Sequence, residues 1–590
     1  MKTYIGRTGL WTLIGLGFFT MLLAFCWLQP VGADDVKPAP VSGMTNEEAL
    51  RLGEQMYRQG ILPSGEPVQA VVKGDIPVTG TAFSCMSCHL RSGLGSIEGS
   101  VITPPTNGQK LFQPYKIIFY KGYFQKDSKP LLYRPAYTDE SLAWAIRGGI
   151  DPTGRVLSEV MPRYLLDDKD MAVLIFYLKS LSSQFSPGVS AATLHLATVI
   201  SDDVSPEIRM AMLRPLENYT ASWNRSANIK KFEEGMTRSM QETFVATAQL
   251  SGPELAYRNL SLSVWVLKGS RETWRSQLEE YYRKDPVFAL IGGITSGEWK
   301  PVHDFCEANQ VPELFPFTDF PVISENDWYT WYLSEGYYQE GEGAARYLNA
   351  ADEPAKDGII LQIVRDSSEG RALADGFEKT LSEVEHRAPV SITLKAGETL
   401  TAADLRKVLD EKKPGVVVLW DGPQALTTLQ NLAASGNNRP GMVFVSSSYL
   451  GKSAWEVKEQ ARDFTYITYP FKLRQTYTTY PFRLRHSEAT YMGHIEPSTR
   501  NIAQDDAQQI AERTYAVIQV LGRALMDMRG KYYRDYFFDV IGMMEDQEVS
   551  PYERLSFGPG QRYASKGCYI VQLTKGPKPE LVRKSDWVIY

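Results

Sequence analysis

The chain has 590 residues, more than a single hydrophobic core accommodates, so two or three domains are expected. Its 63 Lys and Arg nearly balance 69 Asp and Glu, for a net charge of −6. That excludes an electrostatic nucleic-acid binder and offers no basic tail for a membrane surface. With 12 Trp and 32 Tyr the chain is aromatic-rich, which suits aromatic-lined grooves and large cores equally.

The first 33 residues read as an export segment. Lys2 and Arg7 precede an apolar run from Leu10 to Leu28, and Val31 and Ala33 supply small residues before Asp34. The run is longer than a usual signal core, so an uncleaved anchor stays open beside a cleaved signal peptide. Cys26 lies within it after the bulky Phe25, a poor context for lipid attachment. Both readings place the body of the protein in the periplasm.

The next segment holds Cys85-Met86-Ser87-Cys88-His89. Two thiols three positions apart on one helical turn can each add to a haem vinyl group, and the adjacent histidine then faces the iron. In a chain this poor in Cys and His, chance produces the pattern on the order of once per thousand such chains or less. A zinc site needs a second Cys/His pair, and none follows. One covalent haem c is therefore expected on Cys85 and Cys88, with His89 as an iron ligand.

Three helices are predicted around the motif. The first starts near Thr45 with acidic residues in its first turn, and Gly53 and Tyr57 share a face, inviting close approach of another helix at the glycine. The second starts at Asp139 and ends at Gly148-Gly149. The third follows Leu166, with Met171, Leu174, Ile175, Leu178 and Leu181 at helical spacing. Between the last two, Met161 precedes a proline in a loop and is the candidate second axial ligand, a soft thioether donor. Met171 belongs to the core face and Met86 is held within the haem loop.

Residues 45–183, with Gly53 and Tyr57, CMSCH and VMPRYLLDDKDMAVLIFYLKSL, resemble a class I cytochrome c. The resemblance implies an all-α domain, His89/Met161 ligation of haem iron and one-electron transfer.

Residues 184–193 are polar with Gly and Pro and read as a linker. From 194 to 590 apolar strand-like runs alternate with helical stretches: LHLATVIS, LSLSVWVLK, VFALIGGI, GIILQIVR, GVVVLWDG and GMVFVSS. Such alternation implies parallel sheets covered by helices, with ligands beyond the strands' carboxyl ends. PVFALIGGITSGEWKPVHDFCEANQVPELFPFTDFPV, YYQEGEGAARYL and GVVVLWDGPQALTTLQNLAASG resemble the type 1 periplasmic binding proteins, the branched-chain amino acid group in particular. That implies two α/β lobes joined by three crossovers around a ligand cleft. It places Thr295, Ser296 and Thr318 as hydroxyls for a ligand carboxylate, although Ser and Thr at such points are often simple caps. Asp421 is a candidate for a ligand ammonium group or a turn residue. Where the family carries an aromatic residue followed by arginine, this chain has Trp331-Tyr332-Leu333. Cys306 and Cys568 would fall in different lobes as separate thiols.

TYITYPFKLR, from Thr465, recurs as TYTTYPFRLR, from Thr476, and reads as extended segments near a crossover or a docking surface. His195, His303, His386, His486 and His494 lack metal-ligand spacing. No nucleophile–base pair is evident, so no catalytic residue is assigned. The expectation is an exported electron carrier with an unidentified redox partner, whose binding-protein domain senses a small amino-acid-like ligand or docks that partner. The alternatives are a transporter's solute-binding component with a haem switch, or the electron-accepting subunit of a periplasmic dehydrogenase.

Overall fold

The computed structural model describes residues 41–473 and 506–589, apart from 42, 74–75, 99–100, 118–131, 230–257, 325, 353–357 and 559. The export segment and the second copy of the aromatic repeat lie outside the described residues. The chain divides between Gln184 and Phe185 into two compact units.

In the first unit, α1 (Asn46–Gln59) begins on Thr45, whose hydroxyl accepts the Glu48 N–H, and ends at Gly60 in the left-handed region. Then come β1 (Gln69–Val72), β2 (Ile76–Thr79), α2 (Cys85–His89), β3 (Ser96–Glu98), β4 (Val101–Thr103), α3 (Gly108–Leu111), β5 (Tyr115–Ile117), β6 (Leu132–Arg134), α4 (Asp139–Gly148), β7 (Arg163–Tyr164) and α5 (Asp168–Ser180). Gly53 is where α1 meets α5. A Cβ there would collide with Tyr177 and lie 2.8 Å from the Val173 carbonyl oxygen. The Tyr57 and Tyr177 rings then pack 5.6 Å apart. Met171, Leu174, Ile175, Leu178 and Leu181 are buried in one core with Leu52, Met56 and Leu142.

The expected all-α architecture needs correction for this unit. β2, β1 and β7 form an antiparallel sheet, and β3–β4 and β5–β6 are two-stranded antiparallel pairs. The strands occupy the connections between helices. QAVV and IPVT are too short for a stable helix and rich in β-branched residues, and Pro77 is tolerated because β2 is an edge strand.

In the second unit, residues 185–193 are docked against the domain rather than extended as a tether. Phe185 stacks on Tyr533 with ring centroids 5.6 Å apart, and the Arg534 N–H donates to Ser186 Oγ at 3.0 Å. The first lobe contains β8 (Thr193–Ser201), α6 (Pro206–Ile229), β9 (Asn259–Leu267), α7 (Trp274–Lys284), β10 (Ala289–Ile291), α8 (Lys300–Asn309), β11 (Glu313–Leu314) and β12 (Thr330–Trp331). Its strands form a parallel sheet ordered β12-β11-β10-β8-β9.

The second lobe contains α9 (Tyr337–Ala350), β13 (Ile360–Arg365), α10 (Ser368–Glu385), β14 (Val390–Leu394), α11 (Ala402–Lys412), β15 (Val416–Trp420), α12 (Ala425–Ala433), β16 (Met442–Ser446) and β17 (Thr465–Tyr469). Its strands are parallel in the order β14-β13-β15-β16-β17. The first copy of the aromatic repeat thus begins as β17. The chain then returns to the first lobe, where α13 (Asp506–Met528) and α14 (Arg534–Gly542) bury Val517, Leu521 and Phe537 in one core with Leu196 and Ile200 of β8. It crosses once more to add β18 (Gly567–Leu573) and β19 (Leu581–Arg583) antiparallel to the second sheet, with β20 (Val588–Ile589) paired to β18.

Three crossovers therefore join two α/β lobes. The first and third run side by side: Tyr332 N–H donates to Arg562 O at 2.7 Å, and Ser565 N–H donates to Leu333 O at 2.7 Å. At the second, Lys472 N–H donates to Pro551 O at 2.8 Å. Cys306 lies on α8 in the first lobe and Cys568 on β18 in the second; both are buried free thiols.

Candidate functional site

Two places carry the sequence-predicted residues, one in each unit. In the first, Ser84 caps α2 by accepting the Ser87 N–H at 3.3 Å, and this single turn presents Cys85, Cys88 and His89. Cys85 packs beside the core, and burial pushes its thiol up to about 12. Burial also raises the Cys88 thiol. A redox dithiol usually carries a lowered thiol, the opposite of this shift.

His89 is buried, and its Nδ1 lies 2.8 Å from the Pro104 carbonyl oxygen. A carbonyl oxygen only accepts, so Nδ1 carries the proton and Nε2 keeps its lone pair. Burial lowers the imidazole's proton affinity, which favours this neutral form. An oriented neutral histidine beside two thiols on one turn fits the donor set of a covalent haem.

Met161 lies in the loop between α4 and β7. It is half-buried, whereas Met171 is 2% exposed within the core and Met86 packs against that core. Sequence reasoning missed Arg163. Its guanidinium donates to the carbonyls of Met161 at 2.6 Å, Leu157 at 3.1 Å and Ser158 at 3.3 Å, pinning the loop that carries Met161. Several apolar side chains of the same unit are exposed, among them Ile97, Trp144, Val156, Val160 and Leu165.

In the second unit, the carboxyl ends of both parallel sheets border the cleft. Thr295 and Ser296 follow β10. Ser296 Oγ donates to Asp203, and Ser201 Oγ donates to the same carboxylate at 2.6 Å. These hydroxyls hold Asp203 below the ordinary carboxylate range, so it stays ionised. The Ser296 N–H is engaged as well, donating to Ser201 Oγ at 3.0 Å. Thr295 Oγ1 is buried without a hydrogen-bond partner among the described residues. Thr318 Oγ accepts the Phe320 N–H at 3.1 Å, a local turn contact.

Asp421 follows β15 and is ion-paired with Arg365, Nε at 2.7 Å and Nη2 at 2.6 Å. Arg365 Nη1 also donates to the carbonyls of Lys395 and Glu398. A depression of about 240 Å³ opens beside this pair, next to Tyr449. Trp331 and Tyr332 are buried, and Tyr332 Oη lies 3.0 Å from His303 Nδ1, whose Nε2 faces Asp327 at 3.0 Å. His303 is thus part of a buried polar chain at the first crossover.

Sequence reasoning also missed an aromatic cluster between the lobes. Phe320 of the first lobe packs 5.2 Å from Tyr337 at the start of α9, and Tyr337 lies 6.0 Å edge-to-face from Tyr449, just past β16. The signal available was an aromatic residue just beyond a strand's carboxyl end or opening a helix.

The periplasmic binding protein family matches residues 268–577, more than half of the chain. The chain belongs to that family. Its members act in the periplasm or outside the cell, and the hinged two-lobed fold is theirs. Solved structures with a similar fold include an ABC transporter substrate-binding protein from Sphaerobacter thermophilus, at 11% identity over 67% of this chain and 98% of that one, TM-score 0.45. A putative branched-chain amino acid ABC transporter protein from Rhodospirillum rubrum aligns at 14% identity over 68% of this chain and 100% of its own, TM-score 0.43. A solute-binding protein of an R. palustris ABC transporter, solved with benzoate, aligns at 14% identity over 68% and 98%, TM-score 0.40. No curated protein matches the chain. Among the described residues, no helix of this periplasmic binding protein is long and apolar enough to cross a membrane.

Proposed function

We propose that the protein is an exported solute-binding component of an uptake transporter that carries one redox haem on its own first unit. The observation that carries the solute reading is the family's fold: two lobes linked by three crossovers, with polar and aromatic side chains at the strand ends facing the cleft. A small solute held there would draw the lobes together, a hinge closure typical of such proteins. The test titrates the full chain with amino acids, aromatic acids and amines, reading tryptophan fluorescence and radius of gyration. Saturable binding with a smaller radius supports the reading; no binding by any solute class refutes it.

The haem reading rests on the Cys85–His89 turn and the His89–Pro104 contact. Cys85 and Cys88 would hold the group covalently, with His89 and Met161 on the iron. Bound haem supplies one-electron exchange. The chain's part is to fix the histidine's tautomer and to hold the Met161 loop through Arg163. The redox group would make solute capture responsive to electron supply, or let the binding domain dock an electron donor.

A further inference from the structure

We propose that the cleft selects a small organic cation, an alkyl- or arylammonium, over a carboxylate. This rests on the reading of the cleft as a solute site and names the ligand class. Three observations carry it.

The first is at the strand ends of the first lobe. A carboxylate ligand needs free hydroxyls or N–H groups there; Thr295 Oγ1 is unpartnered among the described residues, but Ser201 Oγ, Ser296 Oγ and the Ser296 N–H are already engaged around Asp203. An exposed, ionised carboxylate stands in their place. Its negative charge repels an anion and attracts a cation.

The second is the half-buried aromatic group of Phe320, Tyr337 and Tyr449, contributed by both lobes. Aromatic faces hold ammonium groups by their quadrupole, most strongly where water is partly excluded. Asp319 O accepts the Tyr337 N–H at 3.3 Å, which fixes this group at the junction of the lobes.

The third is the charge around that group. The carboxylates of Asp319 and Glu369 bear on Tyr337, whereas the buried Glu340 holds its proton up to about pH 7. Two nearby cations of the described residues are already matched. Arg365 is paired with Asp421, and Arg513 faces Asp319 and the Tyr552 hydroxyl. Glu369 makes no ion pair among the described residues and stands in the first turn of α10, where only the helix dipole offsets its negative charge. The adjoining depression of about 240 Å³ suits only a small molecule.

The test is calorimetric titration of the full chain with benzylamine and benzoate, which share a ring and differ in charge. Benzylamine is expected to bind at least about ten-fold more tightly, the ratio that roughly 1.4 kcal/mol of cation–π and charge attraction produces. Tyr449→Leu is expected to weaken benzylamine about ten-fold and Glu369→Gln about three-fold. Glu369 is half-exposed, so its replacement leaves the fold intact and keeps the test decisive if Tyr449→Leu misfolds. Equal or tighter binding of benzoate overturns the proposal while leaving the solute reading standing. So does benzylamine binding that ignores both substitutions. Binding of neither probe, together with failure of every solute in the wider panel, overturns both.

Discussion

Glu340 offers a sharp test of how the second unit is held together. It lies on α9, 1% exposed, and accepts a hydrogen bond from Thr468 Oγ1 of β17 at 2.5 Å. Burial raises its carboxyl to about 7; hydrogen bonds from the Ser448, Thr468 and Ser446 hydroxyls oppose the rise, and Asp319 adds to it. The folded protein therefore keeps this proton up to about pH 7, whereas the unfolded chain releases it near the ordinary 4.5. Folding takes up a proton across that window. Stability from this group is full below pH 4.5, falls as pH rises toward 7, and is flat above. The gap corresponds to about 3 kcal/mol. Glu340→Gln keeps the shape and removes the ionisation, so it stays nearly level over the same range, apart from a pH-independent offset for altered hydrogen bonds. Urea unfolding at pH 4 to 8, read by tryptophan fluorescence, measures this directly, because Trp299, Trp331 and Trp420 are buried in the second unit. The variant should gain about 3 kcal/mol relative to wild type between pH 4.5 and 7. A stability difference that does not change with pH would refute the buried-acid argument.

Three further outcomes follow from particular contacts. Glu313 is fully buried on β11 with Oε1 unpartnered among the described residues, and burial holds its carboxyl well above the ordinary range. Wild-type stability should therefore fall relative to Glu313→Gln by about 1.4 kcal/mol per pH unit above 4.5, seen as diverging urea midpoints. Gly53→Leu should destabilise the first unit by about 2 kcal/mol or more, because the side chain meets Tyr177 and the Val173 carbonyl; a thermal melt followed by far-ultraviolet circular dichroism measures it. If haem is bound as proposed, Arg163→Ala should free the Met161 loop and weaken that thioether's hold on the iron, lowering the reduction potential and altering the ferric spectrum, with the haem still held through Cys85 and Cys88.

Much of the architecture could be read from local pattern. The apolar run at 416–420 is a strand buried along its length, as its continuous hydrophobicity implies. The spacing of Met171, Leu174 and Leu178 marks the buried face of α5, and Gly53 marks a close helix crossing, because both are properties of one helix surface. The strands of the first unit are not evident in the sequence because they are only two to four residues long and lie inside connections. The cleft was harder still. Ser296 looks like a free hydroxyl until Asp203 folds beside it, and Asp421 looks like a free carboxylate until Arg365 pairs with it. Tyr337 and Tyr449 come together only through the topology of the second lobe. Such long-range pairings decide what a strand end offers a ligand, and no local pattern encodes them.

The central claim is that one chain joins a covalent haem to a solute-binding fold. Its most direct measurement is the mass of the exported full chain under denaturing conditions, after expression with haem-attachment machinery. The account predicts the chain plus one haem, with Cys85 and Cys88 closed to alkylation and the added mass lost in a Cys85→Ala, Cys88→Ala variant. A chain of unmodified mass, with both thiols open to alkylation, would contradict it.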